Sequence, residues 1–253
     1  MILRKIKQLF QDGVRVLRSS AIGSFYSKEG SHMRWYTSSL GKKYIMGITG
    51  LLMVGFVVAH MLGNLSIFGG ADGINAYAEH LRAFPPMLWI FRLVMLASFG
   101  LHILTGIDLY LQNRAARPVN YATKVYERTT FMAQTMIWTG LLLGSFVVFH
   151  ILHLTMHIGN PQFAEMADTL GRFDVFAMLQ VSFGKFYLAL LYVGAMVVLL
   201  LHLSHGIQSF FQSLGLTNDN TLPVLEKGGK VVAFVLMLGF MLIPITILFG
   251  VVK

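Results

Sequence analysis

The chain has 253 residues, of which 55% are hydrophobic and only 12% charged, with a net charge of +9 and no cysteine. A soluble domain of this length carries about twice that charged fraction, so composition points to a single membrane bundle, and a mean hydropathy of +0.66 agrees. The lack of cysteine excludes disulfides, iron–sulfur ligation by this chain and covalent haem attachment through C-x-x-C-H, and leaves nine histidines as the strong metal ligands.

Residues 1–42 read as a separate N-terminal segment. In "MILRKIKQLFQDGVRVLR" apolar residues recur at 2, 3, 6, 9, 10, 14 and 17 with basic residues between them. This is the stripe of a basic amphipathic helix lying on anionic lipid or against a soluble partner. No apolar core ending in a small-residue cleavage site occurs in the first 40 residues, so no cleavable signal peptide is expected. Residues 43–253 then read as an all-α bundle of five transmembrane helices, with spans near 43–68, 86–113, 131–157, 185–213 and 229–251. Each is long enough for about 30 Å of hydrocarbon. Charges within the spans are rare: Arg92 and Asp108 lie towards the ends of the second, and Lys185 and Lys230 open the last two.

Basic residues set the expected orientation. With the N-terminus in the cytoplasm, segments 1–43, 114–130 and 212–230 face inward and hold 15 Lys/Arg, while the outward segments hold 5. The positive charge is therefore a topology signal, with no feature suggesting nucleic-acid binding.

Seven histidines fall inside or at the ends of the spans: His60, His102, His150, His153, His157, His202 and His205. One such residue is ordinarily a hydrogen-bonded packing element; seven on four helices demand more. At 1.5 Å rise per residue, His60 and His150 reach one outer level, and His102 and His202 one inner level, roughly 15–20 Å away. Two imidazoles from two helices at one depth are what a bis-histidine haem needs, and two such sites make an electron path across the bilayer. Glycines including Gly50, Gly106, Gly140 and Gly206 would let a macrocycle approach the backbone. His153 and His157, on roughly the face of His150 but further out, suit contacts to haem propionates, quinone or water. Depth alone does not separate His150 from His153, nor His202 from His205.

Five segments carry a family resemblance: "SSLGKKYIMGITGLLMVGFVVAHMLGNLSIF" (38–68), "INAYAEHLR" (74–82), "LHILTGIDLYLQNRAARPVNY" (101–121), "TGLLLGSFVVFH" (139–150) and "LHLSHGIQSFFQSLGL" (201–216). In this order they resemble the cytochrome b membrane anchor of succinate:quinone oxidoreductases and fumarate reductases, in the branch with one five-helix anchor and two b haems. The resemblance covers about residues 38–250. It implies axial ligands at His60, His102, His150 and His202, paired His60 with His150 (distal haem) and His102 with His202 (proximal haem). It also implies a flavoprotein and an iron–sulfur subunit as partners, a quinone (commonly menaquinone) as substrate, a bacterial cytoplasmic membrane as location, and room for a higher oligomer of the whole complex. The chain's own part would be haem ligation, quinone binding and electron transfer, with dicarboxylate chemistry left to the flavoprotein.

Lys43, Arg82, Arg92, Arg114 and Lys185 are placed to neutralise propionates or to anchor at the interface. Glu79 and His80, before the second span, could handle protons for a quinone near the distal pair. Ser38, Ser39, Asp108 and Ser209 could line a pocket by the proximal pair, with His205 close by. Some family members carry a buried acid two positions before the fourth-helix ligand; here that position is Leu200, so no comparable proton path is expected. Two other readings compete: the cytochrome subunit of a formate dehydrogenase or hydrogenase, which the motif order fits poorly, and a histidine-rich transporter. A transporter would be marked by internal repeats or by helices broken at mid-membrane. Neither is read here: Pro85, Pro86, Pro118, Pro161 and Pro223 lie in loops or at span ends, and Pro244 interrupts a helix without histidine.

Overall fold

A computed structural model of the chain describes residues 35–116 and 131–253. The expected N-terminal amphipathic helix and most of the 114–130 connection lie outside the described residues. Seven α-helices follow in the described part: α1 (Ser39–Asn64), α2 (Gly70–Arg82), α3 (Pro85–Ala115), α4 (Phe131–His150), α5 (Val175–Phe183), α6 (Phe186–Ser213) and α7 (Thr221–Leu248). No β-strand occurs among the described residues.

Five helices are long and apolar enough to cross a membrane. Their outward faces carry Leu51, Leu96, Leu104, Trp138, Leu190 and Val231, each more than half exposed. Large apolar side chains this exposed on every spanning helix require a lipid surround. We call the end where α1 starts the near end and the end where α1 finishes the far end. α6 packs most extensively on α7 and also touches α4 and α1, while α1 packs on α3 and α7. Close packing of α1 on α7 depends on Gly239, where an added Cβ would collide with the Met61 side chain.

Helix ends follow local chemistry. Pro85 and Pro86 open α3, where a missing N–H is harmless. α6 stops at Gly215 (φ +70°), which donates its N–H to Gln212 O while Leu216 N–H reaches back to Phe211 O, a left-handed helix stop. The first spanning helix begins at Ser39 instead of 43, since Lys42 is held by an ion pair with Asp108 on α3. The fifth begins at Thr221 instead of 229. Asn218 Oδ1 accepts the N–H groups of Asn220 and Thr221, and Glu226 pairs with Lys230 at 2.7 Å along the first turns.

Two helices fall where loops are expected. α2 is too polar to read as a span, and α5, apolar but only nine residues long, is too short for one. They pack on each other at the far end, over a core of Ile67, Ile74, Phe163, Met178, Leu179, Phe183, Tyr192, Ile243 and Ile247. A polar clasp fastens them. Asn75, fully buried on α2, donates to Asp168 Oδ2 (3.3 Å) and Asp174 Oδ1 (3.0 Å), and its Oδ1 accepts Phe176 N–H (3.0 Å). Arg172 donates to Asp168 and Asp72, each at 2.8 Å. Asp168 titrates below the ordinary carboxylate range: burial pushes it up, but hydrogen bonds from Arg172, Leu170 N–H and Asn75 together outweigh that.

Candidate functional site

The structure brings four histidines from four helices into two pairs. His60 of α1 and His150 of α4 stand with ring centroids 5.9 Å apart and planes at 87°. His102 of α3 and His202 of α6 stand 6.4 Å apart at 65°. The two levels are separated by the same ten residues on three helices. Gly50 of α1 faces His102 and is ten residues before His60; Gly140 of α4 faces His202 and is ten before His150. On α6, Tyr192 meets His150 and is ten before His202. Ten residues of α-helix rise about 15 Å.

Ring orientation at the near level is fixed through Nδ1. His102 Nδ1 lies 3.1 Å from Met46 O, a carbonyl that can only accept, so this nitrogen carries the proton. His202 Nδ1 lies 3.1 Å from Thr139 Oγ1, whose own hydrogen is directed at Thr135 O or Met136 O. Both rings therefore keep Nε2 as a bare lone pair, the state of a ligating imidazole oriented by its second nitrogen. An added Cβ at Gly50 would lie 3.2 Å from His102 Cε1, and one at Gly140 3.2 Å from His202 Cε1, so each ring occupies the space of a missing side chain. At the far level His60 stacks on Phe56 (5.2 Å, 25°) and its Nδ1 lies 3.4 Å from the Asn64 amide. His150 Nδ1 is buried without a hydrogen-bond partner, a condition that calls for a ligand or water.

These environments repeat. Thr49-Gly50-Leu51-Leu52, Phe56-Val57-Val58 and His60 on α1 recur as Thr139-Gly140-Leu141-Leu142, Phe146-Val147-Val148 and His150 on α4. Leu101-His102 and Gly106-Ile107 on α3 recur as Leu201-His202 and Gly206-Ile207 on α6. The bundle therefore holds two copies of one unit, α1–α3 and α4–α6, each with a short helix between its long ones. Each histidine pair takes one ring from each copy. This corrects the expectation of no internal repeat. The copies run in parallel, without the broken mid-membrane helices of transporter sites.

The remaining candidates are placed as follows. His153 is not at an open interface: it is 4% exposed, with Nδ1 3.0 Å from Tyr192 Oη and Nε2 3.5 Å from Ser182 Oγ. His157 adopts a left-handed backbone (φ +56°) and stacks on Phe173 at 5.7 Å and 10°. Arg82 lies 4.2 Å over the same Phe173 ring, and with Glu79, Ala83 and Arg172 both residues line a far-end cleft of about 360 Å³. His80 is exposed on α2. Arg92 sits over Trp89 at 5.1 Å, and Lys185 is the half-buried residue before α6. Near the opposite end, His205 Nε2 meets Ser209 Oγ at 2.9 Å, Asp108 is engaged by Lys42 and Gln112, and Arg114 donates to Tyr110 Oη at 3.2 Å. Lys43 and Ser39 are exposed on the first turns of α1, and Ser38 precedes that helix.

No family model, curated protein or solved structure matches the chain.

The donor set itself limits what each pair can hold. Among the described residues no group of three or more His, Cys, Asp or Glu side chains gathers as a metal site. A bare zinc-type ion wants three or four protein ligands. Two imidazoles suffice for a metal that arrives with its equatorial ligands. Rings sharing one metal at about 2 Å per nitrogen have centroids roughly 6 Å apart, and the observed 5.9 and 6.4 Å fit. The residues missed in the sequence are Thr49, Thr139, Tyr192, Asn64 and Ser182. The paired "TG" before each far-level histidine was the signal for the first two.

Proposed function

We propose that the chain is the di-haem cytochrome b anchor of a succinate:quinone oxidoreductase or fumarate reductase, with His60/His150 and His102/His202 as the axial pairs. The observation that carries this reading is the pair of two-imidazole sites at two levels, each built from one ring of each internal copy. Bound there, haem supplies one-electron redox chemistry.

The protein's residues orient and enclose. Met46 O and Thr139 Oγ1 hold the near-level rings with Nε2 presented. Phe56, Phe146 and Phe240 wall the far-level rings from lipid. In the sequence, 15 of the 20 Lys/Arg fall in segments 1–43, 114–130 and 212–230, a bias that suits a cytoplasmic face and docking of an iron–sulfur subunit beside a flavoprotein. A quinone, commonly menaquinone in this branch, exchanges two electrons and two protons. The cleft with Glu79, Arg82 and Phe173 offers it a carboxylate, a cation and a ring at the far end. The setting is the bacterial cytoplasmic membrane.

The test is purification of the native complex from its membrane. The reading expects a flavoprotein and an iron–sulfur protein with the chain, and succinate or fumarate turnover linked to quinone; a chain that purifies without redox partners or b-type absorbance overturns it. The glycine cradles make a finer prediction. Gly50→Val or Gly140→Val should displace a near-level ring and lower the haem content measured by pyridine haemochrome, whereas Gly55→Val, which meets open space, should leave it unchanged.

A further inference from the structure

The internal repeat fails at one point. His102, His202 and His60 each have a polar group at Nδ1, supplied by Met46 O, Thr139 Oγ1 and the Asn64 amide. In the second copy the place of Asn64 is taken by Leu154, and His150 Nδ1 has no partner among the described residues. The orientation of the His150 ring is left to ring contacts: Phe146 at 6.0 Å, His60 at 5.9 Å and Tyr192 at 5.9 Å, edge-on at 61°.

Tyr192 is the best anchored of these. It is 7% exposed and packed edge-on against Phe146 (5.1 Å) and Phe183 (4.9 Å). Its hydroxyl meets His153 Nδ1 at 3.0 Å, and the other nitrogen of that imidazole faces Ser182 on α5 at 3.5 Å. The backbone is shaped for this contact. Immediately after His150, α4 widens into a single π turn over Ile151–Thr155, closed by Met156 N–H to Ile151 O at 2.8 Å. Such a turn re-aims side chains and recurs at functional sites. Here it carries His153 into the buried space between α5 and α6. His153 thus has both nitrogens engaged in a core and is no metal ligand. It is the link that ties α4, α5 and Tyr192 together.

We propose that Tyr192, held by His153 and Ser182, is the positioning residue for His150, replacing through ring packing the Nδ1 hydrogen bond that the other three histidines possess. This inference rests on the pairs being haem ligands. Its consequence is selective: loss of the hydroxyl frees the Tyr192 ring, and with it the His150 plane, while the near-level pair is untouched.

The experiment is Tyr192→Phe in the purified complex, with low-temperature EPR of the oxidised low-spin haems, whose g anisotropy reports the angle between axial imidazole planes. Two haems per chain should remain. The far-level signal, assigned by its loss in His60→Ala, should shift or split into more than one form, and the near-level signal should keep its position. Ser182→Ala, one step further out, should broaden the same signal less. A Tyr192→Phe spectrum superimposable on that of the parent overturns the inference while leaving the haem assignment intact. A shift of both signals overturns it too, because a general loosening of the bundle is not selective. A parent complex without haem removes both the inference and the reading beneath it.

Discussion

On the proposed di-haem reading, His102→Ala and His202→Ala are each expected to remove one of two b haems and to disconnect the complex from quinone. Each ring is the only imidazole its helix brings to the near level: His205 on α6 turns to Ser209, and no second histidine lies on α3. Alanine would leave the partner imidazole alone, and a haem held there would lack one of its two protein ligands. Substitutions that merely disturb the partners of a metal ligand cost about 10–100-fold, so loss of the ligand should lower quinone-linked turnover at least that far. Turnover with a soluble dye accepting electrons from the partner subunits should persist. Haem content and the two rates, measured on one preparation, check this. A variant retaining two haems and full quinone-linked activity would contradict the near-level assignment.

Asn75→Leu is expected to produce the largest loss of stability outside the histidine sites. The side chain is fully buried and its amide serves three partners on the far-end loop and α5. Leucine strands the Phe176 N–H and withdraws a donor from both Asp168 and Asp174. At about 1–3 kcal/mol for each buried group left unpaired, the change should cost about 2–4 kcal/mol. Thermal unfolding in detergent should show a midpoint roughly 5 °C or more below the parent. An unchanged midpoint would mean that the far-end clasp contributes nothing to the fold.

The spans were legible because apolar length is enough to specify a membrane helix and because lipid forbids most alternatives. Depth was legible for a similar reason: the rise of a helix is fixed, so counting residues puts His60 level with His150 and His102 level with His202, the neighbours found in space. Other features depend on tertiary contact. α2 carries Asp72, Asn75, Glu79 and Arg82 in thirteen residues, and nothing local reveals that Asn75 is buried. The apolar run of α5 has no length to mark it as an element separate from the loop before it. The direction of His153 was beyond the sequence, since a π turn moves it off the face that regular helix geometry assigns. Thr49 and Thr139 show the opposite case. Their repeat is present in the letters, eleven residues before His60 and His150, and needs no tertiary contact to be seen.

The most direct measurement is the haem-to-protein ratio of the purified membrane complex, by pyridine haemochrome assay together with a reduced-minus-oxidised spectrum. Two b haems per chain is the predicted result, since the bundle holds two imidazole pairs, each with one ring from each internal copy. One haem per chain would mean that only one pair is a ligand set. None would contradict the account, and the four facing histidines would then need a different chemistry.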